Sequence, residues 1–140
     1  MTGKAFVDTN ILVYAHDRGA GAKFDQARRL VAELWENRSG VLSTQVLQEF
    51  YINVRRRAAH PISRREARSV LEDYMTWEVV VNTGDSILSA VELERRHHLS
   101  FWDALIVQAA IDSGADRLLS EDFQHRRRFG HLRVLNPFRG

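Results

Sequence analysis

Four acidic residues punctuate this chain where apolar segments end or turn. Asp8 closes Ala5-Phe6-Val7, Glu49 lies within the stretch from Val46 to Tyr51, Asp103 opens the helix-like run from Trp102 to Ile111, and Asp122 follows Leu118-Leu119. Residues so far apart in sequence meet only in a folded chain. Carboxylates gathered in one pocket repel one another and must be protonated or neutralised by a cation. In a chain of net charge +2, an acidic cluster of this kind points to a bound divalent metal. Hard oxygen donors select Mg²⁺ or Mn²⁺ over zinc, and such ions work on phosphate esters.

Each acid has a plainer explanation when taken alone. Asp8, in Val7-Asp8-Thr9-Asn10, suits a helix N-cap at a strand-to-helix turn. Asp103 stands three residues after Ser100, the spacing of a capping box. Asp122 could cap a short helix after Ser120. Glu49 is different, because it sits mid-helix between Gln48 and Phe50, where capping does not apply and a solvated helix position is the alternative. Asp85 and Asp116 read as turn or capping residues. The six histidines form no i,i+4 metal pair.

The elements that must position these residues alternate between strand-like and helix-like patterns. Lys4 to Val7, Val41 to Ser43, Glu78 to Val81, Leu118-Leu119 and Leu132 to Leu135 read as strands, and Val79-Val80-Val81 is the clearest signal. Helical spacing joins Ile11 to His16, then Phe24, Ala27, Leu30, Val31 and Leu34. A third helix starts at a Thr44 cap and carries Val46, Phe50 and Val54 on one face. Ser63 with Glu66 marks a helix reaching about Met75. A fifth ends near His97-His98, and a sixth runs from a Ser100 cap to Gly114. Alternating β and α elements with continuous apolar strands argue for one α/β domain over residues 1–140, with a mainly parallel sheet covered by helices on both faces. Ligands of such sheets bind beyond the carboxyl ends of the strands, where Asp8 and Asp122 fall.

The ordered set resembles the PIN-domain ribonucleases, and specifically the small VapC-like toxins of bacterial and archaeal toxin–antitoxin pairs. The resemblance covers essentially the whole chain. It rests on the opening strand ending in Val7-Asp8-Thr9-Asn10, on Glu49 in the third helix, on Ser100-Phe101-Trp102-Asp103-Ala104-Leu105-Ile106, and on Leu119-Ser120-Glu121-Asp122. It implies a PIN-like three-layer α/β/α sandwich and a metal-dependent endoribonuclease whose products carry a 5′-phosphate and a 3′-hydroxyl. Asp8 and Asp103 would be the principal Mg²⁺ or Mn²⁺ ligands, with Asp122 completing the shell directly or through water. Glu49 would hold a second ion or orient the attacking water, and Thr9, Asn10 and Ser120 would be polar supports. Glu121 adjoins Asp122, and the family's Ser/Thr-x-acid pattern favours Asp122. The resemblance also implies a homodimer and an antitoxin protein that occupies the site.

Charge type fits an RNA substrate. Lys4 and Lys23 are the only lysines, so the basic residues are almost all arginine, whose guanidinium forks onto phosphate. Arg55-Arg56-Arg57 and Arg126-Arg127-Arg128 are the expected backbone contacts, although paired arginines also occur simply as solvated helix faces. Single-stranded or looped RNA is the expected form, since its backbone is open to a metal. With no cysteine, disulfides, thiolate metal sites and a Cys nucleophile are excluded. No signal-peptide or membrane-spanning pattern is visible, so a soluble cytoplasmic protein is expected. Two other readings remain. A phosphatase with an Asp nucleophile on the first strand would fit Asp8, but Asn10 stands where its partner acid belongs. A nucleic-acid-binding module that has lost catalysis would not require all four acids.

Overall fold

The computed structural model describes residues 3–139, so Met1, Thr2 and Gly140 of the expected 1–140 domain lie outside the described residues. The chain runs β1 (Ala5–Val7), α1 (Thr9–Ala15), α2 (Ala22–Asn37), β2 (Gly40–Ser43), α3 (Thr44–Arg56), α4 (Arg64–Tyr74), β3 (Glu78–Val80), α5 (Gly84–His97), α6 (Phe101–Ser113), β4 (Arg117–Leu119), β5 (Arg128–Phe129) and β6 (Leu132–Leu135). The strands form one sheet in the order β3-β2-β1-β4-β6-β5. All pairings are parallel except β5 against β6.

That order dictates the layers. Crossovers between parallel strands are right-handed, so stepping from β1 outward to β2 and β3 lays α1 to α4 on one face. Returning to β4 on the far side of β1 lays α5 and α6 on the other. The packing agrees: α1 contacts α2 and α3, α3 contacts α4, and α5 packs on α6. The expected three-layer α/β/α sandwich with a mainly parallel sheet is therefore the architecture observed. Its core is filled by Phe6, Leu42, Leu118, Val134, Phe50 and Tyr74, each buried almost completely. β1 and β4 are adjacent strands whose chains continue in opposite directions along the sheet, β1 to β2 and β4 to β5 and β6, and a doubly wound sheet opens a crevice at that point.

Local chemistry explains most boundaries. Ser63 and Ser100 cap α4 and α6 by accepting the amides of Glu66 and Asp103, and Gly114 ends α6 at φ +77°. The cap of α3 is Ser43 rather than Thr44: its hydroxyl accepts the Val46 amide at 3.2 Å. The strand runs straight into the helix, so the last strand residue, still extended, takes the capping role. No helix follows Ser120, and Asp122 lies in a bend. β5 is an addition to the sequence reading, made of the last arginine of the second cluster and Phe129 and too short for any periodicity to announce. Gly40 allows close packing, because a Cβ there would stand 2.1 Å from the Trp77 ring. That ring is held by Trp35 and Tyr74 at centroid distances of 5.2 and 5.3 Å.

Asp17, a buried acid outside the acidic set, ties two loops together. Its carboxylate accepts the backbone amides of Gly19 at 3.0 Å and of Ala59 and His60 at 2.8 Å each. Burial alone would raise its pKa, but the three amide donors outweigh it and hold the pKa below the usual carboxylate value. The stability it contributes is therefore present above that range and is lost as pH falls through it. Asp17→Ala should cost about 1–3 kcal/mol at neutral pH, the scale of leaving buried donors unmatched. Urea unfolding at pH 7 and pH 3 checks this, and the gap between variant and wild type should narrow at the lower pH.

Candidate active site

The strand register builds the site. Val7 pairs with Leu119 in the parallel ladder, so the next residues of the two strands, Asp8 and Ser120, emerge side by side. The Asp8 amide donates to the Leu119 carbonyl at 3.0 Å, which extends the ladder into the turn. Asp8 caps α1: Oδ1 accepts the Thr9 amide at 2.7 Å, and Oδ2 accepts the fully buried Ser120 hydroxyl at 2.7 Å. The Ser120 oxygen in turn accepts the Asp122 amide at 3.0 Å. Asn10 donates to Asp122 Oδ2 at 2.8 Å. From α3, Glu49 accepts the Thr9 hydroxyl at 2.8 Å on Oε1 and the Gln45 amide at 3.3 Å on Oε2. Gln45 also donates to the Trp102 carbonyl at 3.1 Å, which ties α3 to the start of α6 beside Asp103. Asp8, Glu49, Asp103 and Asp122 all line one cleft of about 520 Å³.

The cleft is electrostatically uncompensated. Burial, opposed by the Ser120 and Thr9 hydrogen bonds and reinforced by Asp122 and Glu49, pushes the Asp8 carboxyl up to about 7. Burial also raises Asp103, again with repulsion from Asp122 and Glu49 and against the Ser100 hydrogen bond. The donors available are all oxygen, and Asn10 Oδ1 and Gln45 Oε1 are buried without a hydrogen-bond partner. This chemistry fits a hard divalent cation. Among the described residues no three acidic or histidine side chains stand close enough to form a closed shell. An ion bound here would complete its shell with water, as hard divalent cations do.

The sequence-expected residues divide as follows. Asp8, Thr9, Asn10, Glu49, Asp103 and Asp122 line the cleft, and Ser120 lies directly behind Asp8. Glu121 turns away, held by the Tyr14 hydroxyl and by Lys23 at 2.7 Å. Of the arginines, only Arg57 borders the cleft. Arg55 is committed to Tyr51, bonding its hydroxyl at 3.1 Å and lying over its ring, and Arg56 is exposed. Arg126, Arg127 and Arg128 do not line the cleft; Arg127 bonds the His97 carbonyl at 2.9 Å and lies over the Phe129 ring. Gln45 is the site residue that the acidic pattern missed. Its position one helical turn before Glu49 was the signal that could have found it.

Residues 5–129 match the family model described as PIN domain, and all four acids lie inside that span. The chain belongs to the PIN domain family. Solved structures with this PIN fold include VapC20 of Mycobacterium tuberculosis, described as a sarcin–ricin-loop-cleaving toxin. It is 23% identical at a TM-score of 0.64, over 82% of this chain and 87% of that one. A toxin–antitoxin complex from Klebsiella pneumoniae is 18% identical at a TM-score of 0.71, over 96% and 98%. VapBC2 of Rickettsia felis, bound to a DNA fragment from its promoter, is 20% identical at 0.64, over 93% and 96%. None of the curated proteins matches the chain significantly.

The raised Asp8 value has a thermodynamic consequence. A folded-state pKa above the unfolded one contributes stability that is complete below the unfolded value and is lost as pH rises through the folded one. Asp8→Asn removes the charge, so at pH 8 without divalent ions it should be more stable than wild type by on the order of 1–4 kcal/mol. The advantage should vanish near pH 4. Thermal unfolding followed by circular dichroism at both pH values measures it.

Proposed function

We propose that this PIN domain is a metal-dependent endoribonuclease, acting as the toxin of a toxin–antitoxin pair. The observation that carries the reading is the convergence of Asp8, Glu49, Asp103 and Asp122 in one cleft, where burial, with repulsion from Asp122 and Glu49, pushes the Asp8 carboxyl up to about 7. The family and the toxin descriptions of its structural neighbours support it. Asp8 and Asp103 are the principal ligands of a Mg²⁺ or Mn²⁺ ion, with Asp122 joining directly or through water and Glu49 serving a second ion or the attacking water. When bound, such an ion activates water, polarises the phosphoryl oxygen and eases departure of the 3′-oxygen.

The chain's own groups prepare that step. Ser120 and the Thr9 amide fix both Asp8 oxygens, and Asn10 fixes Asp122. Thr9 and Gln45 hold Glu49 by one bond to each oxygen, leaving lone pairs to orient a water in line with the phosphorus. Attack by that water and loss of the 3′-oxygen leaves a 5′-phosphate and a 3′-hydroxyl. Arg57, which lines the cleft, would meet the RNA backbone.

A cognate antitoxin covering the cleft and a homodimer complete the proposal. The apolar residues of α1 pack inward, with Ile11, Leu12 and Ala15 buried. Leu88 and Val91 of α5, 71% and 48% exposed, offer apolar surface to a second copy. Among the described residues no helix is long and apolar enough to cross a membrane, and a cytoplasmic site of action is proposed.

Asp8→Asn and Asp103→Asn, purified and folded, should each lose on the order of 10²-fold or more of the cleavage of single-stranded RNA. EDTA should abolish wild-type cleavage and Mg²⁺ or Mn²⁺ should restore it, with 5′-phosphorylated products. Full activity in either variant would overturn the site. Turnover of a small phosphate ester instead of RNA would favour a phosphatase.

A further inference from the structure

We propose that Tyr14 and Lys23 clamp Glu121 and thereby position Asp122 in the cleft, making them positioning residues for the metal-dependent site proposed above, on which this inference rests. Glu121 and Asp122 are consecutive acids in a segment without helix or strand, so no regular backbone dictates which of them faces the cleft. The choice is made by side-chain partners. Asn10 and Tyr14 lie four residues apart on α1 and therefore share a helix face. Asn10 holds Asp122 Oδ2 at 2.8 Å, and the Tyr14 hydroxyl donates to Glu121 Oε1. Lys23, from α2, reaches Glu121 Oε2 at 2.7 Å. Each Glu121 oxygen thus has its own donor.

The clamp is itself braced. Lys23 Nζ lies 4.9 Å from the centroid of the Tyr14 ring and 5.2 Å from that of Phe138. Phe138 meets the Tyr14 ring edge-on at 5.4 Å. Two helices, the loop after β4 and the carboxyl-terminal stretch therefore converge on one carboxylate. As a plain ion pair this would contribute little to global stability, since the Lys23 side chain is 41% exposed. Its consequence is local. Released from the clamp, Glu121 becomes a mobile carboxylate adjoining Asp122, and the loop loses one of the two holds that α1 has on it.

The sign of the effect separates a clamp from simple electrostatics. Removing the Lys23 ammonium takes positive charge away from a cation site, so charge alone predicts tighter metal binding in Lys23→Ala. A clamp predicts weaker binding. Glu121→Gln keeps hydrogen-bonding groups for Tyr14 and Lys23, so a clamp predicts near wild-type binding, whereas a metal-ligand role for Glu121 predicts a loss.

Calorimetric titration with Mn²⁺ in the absence of RNA, together with amide hydrogen exchange of residues 120–123, tests this. Tyr14→Phe and Lys23→Ala should each weaken Mn²⁺ binding about tenfold, the scale of losing a group that orients a ligand. They should also speed exchange at the Asp122 amide. The double variant should be no worse than either single one, and Lys23→Arg should restore binding. Unchanged or tighter Mn²⁺ binding in Lys23→Ala, or an Asp122 amide that exchanges no faster in either variant than in wild type, overturns the clamp. Wild-type protein that binds Mn²⁺ but leaves RNA intact overturns the nuclease reading alone. Wild-type protein that binds no Mn²⁺ overturns the metal site, and the exchange rates then decide the clamp by themselves.

Discussion

A carboxylate shut away from water at the seam between two parallel strands is the constraint around which this molecule is arranged. Asp8 is 4% exposed, and burial with repulsion from Asp122 and Glu49 disfavours its charge. It is tolerable only because Ser120 and the Thr9 amide each satisfy one of its oxygens. Those partners exist only if β1 and β4 keep their register and if α1 starts at once after β1. A shift of one residue would turn Ser120 to the other face of the sheet. The fold thus holds a group that would be more stable protonated or replaced, a local conflict of the kind that marks functional positions.

The rest of the cleft extends the same logic outward. Thr9 contributes to two carboxylates, its amide to Asp8 and its hydroxyl to Glu49. Ser120 likewise donates to Asp8 and accepts from the Asp122 amide. Gln45 joins Glu49 to the backbone of α6. Short polar side chains therefore link the acids, so that like charges are held near one another by donors interposed between them. The arginines do not supply this compensation, being tied to Tyr51 and Phe129 or left at the rim and surface.

Much of this was legible in the residues themselves. The strand cores, the Ser63 and Ser100 caps and the Gly114 stop follow from local chemistry, and alternation of elements led to the layered parallel sheet. The acids were legible as a set because each stands where an apolar run ends. What escaped depends on contacts across the sequence. Ser43 and Thr44 are equally good caps on paper, and only the strand's direct entry into α3 decides between them. β5 exists because β6 is there to pair with it. Asp17 looks like an ordinary turn residue until the Ala59-His60 loop arrives, and the divergence of Glu121 from Asp122 requires Tyr14 and Lys23 to be in place.

The six-residue run of buried and half-buried side chains from Ala104 to Ala109 makes α6 an interior element. Opening such a helix would expose its apolar side chains to water, so it costs more than opening a surface segment. Asp103 rides on the first turn of that helix, its amide held by the Ser100 hydroxyl at 3.1 Å. Asp122 sits in a surface bend with no such helix to carry it. The two carboxylates differ in support rather than in chemistry: one is carried by a helix packed into the core, and the other by a bend held only through side-chain partners. Control of this cleft short of unfolding would act most readily on the loop side.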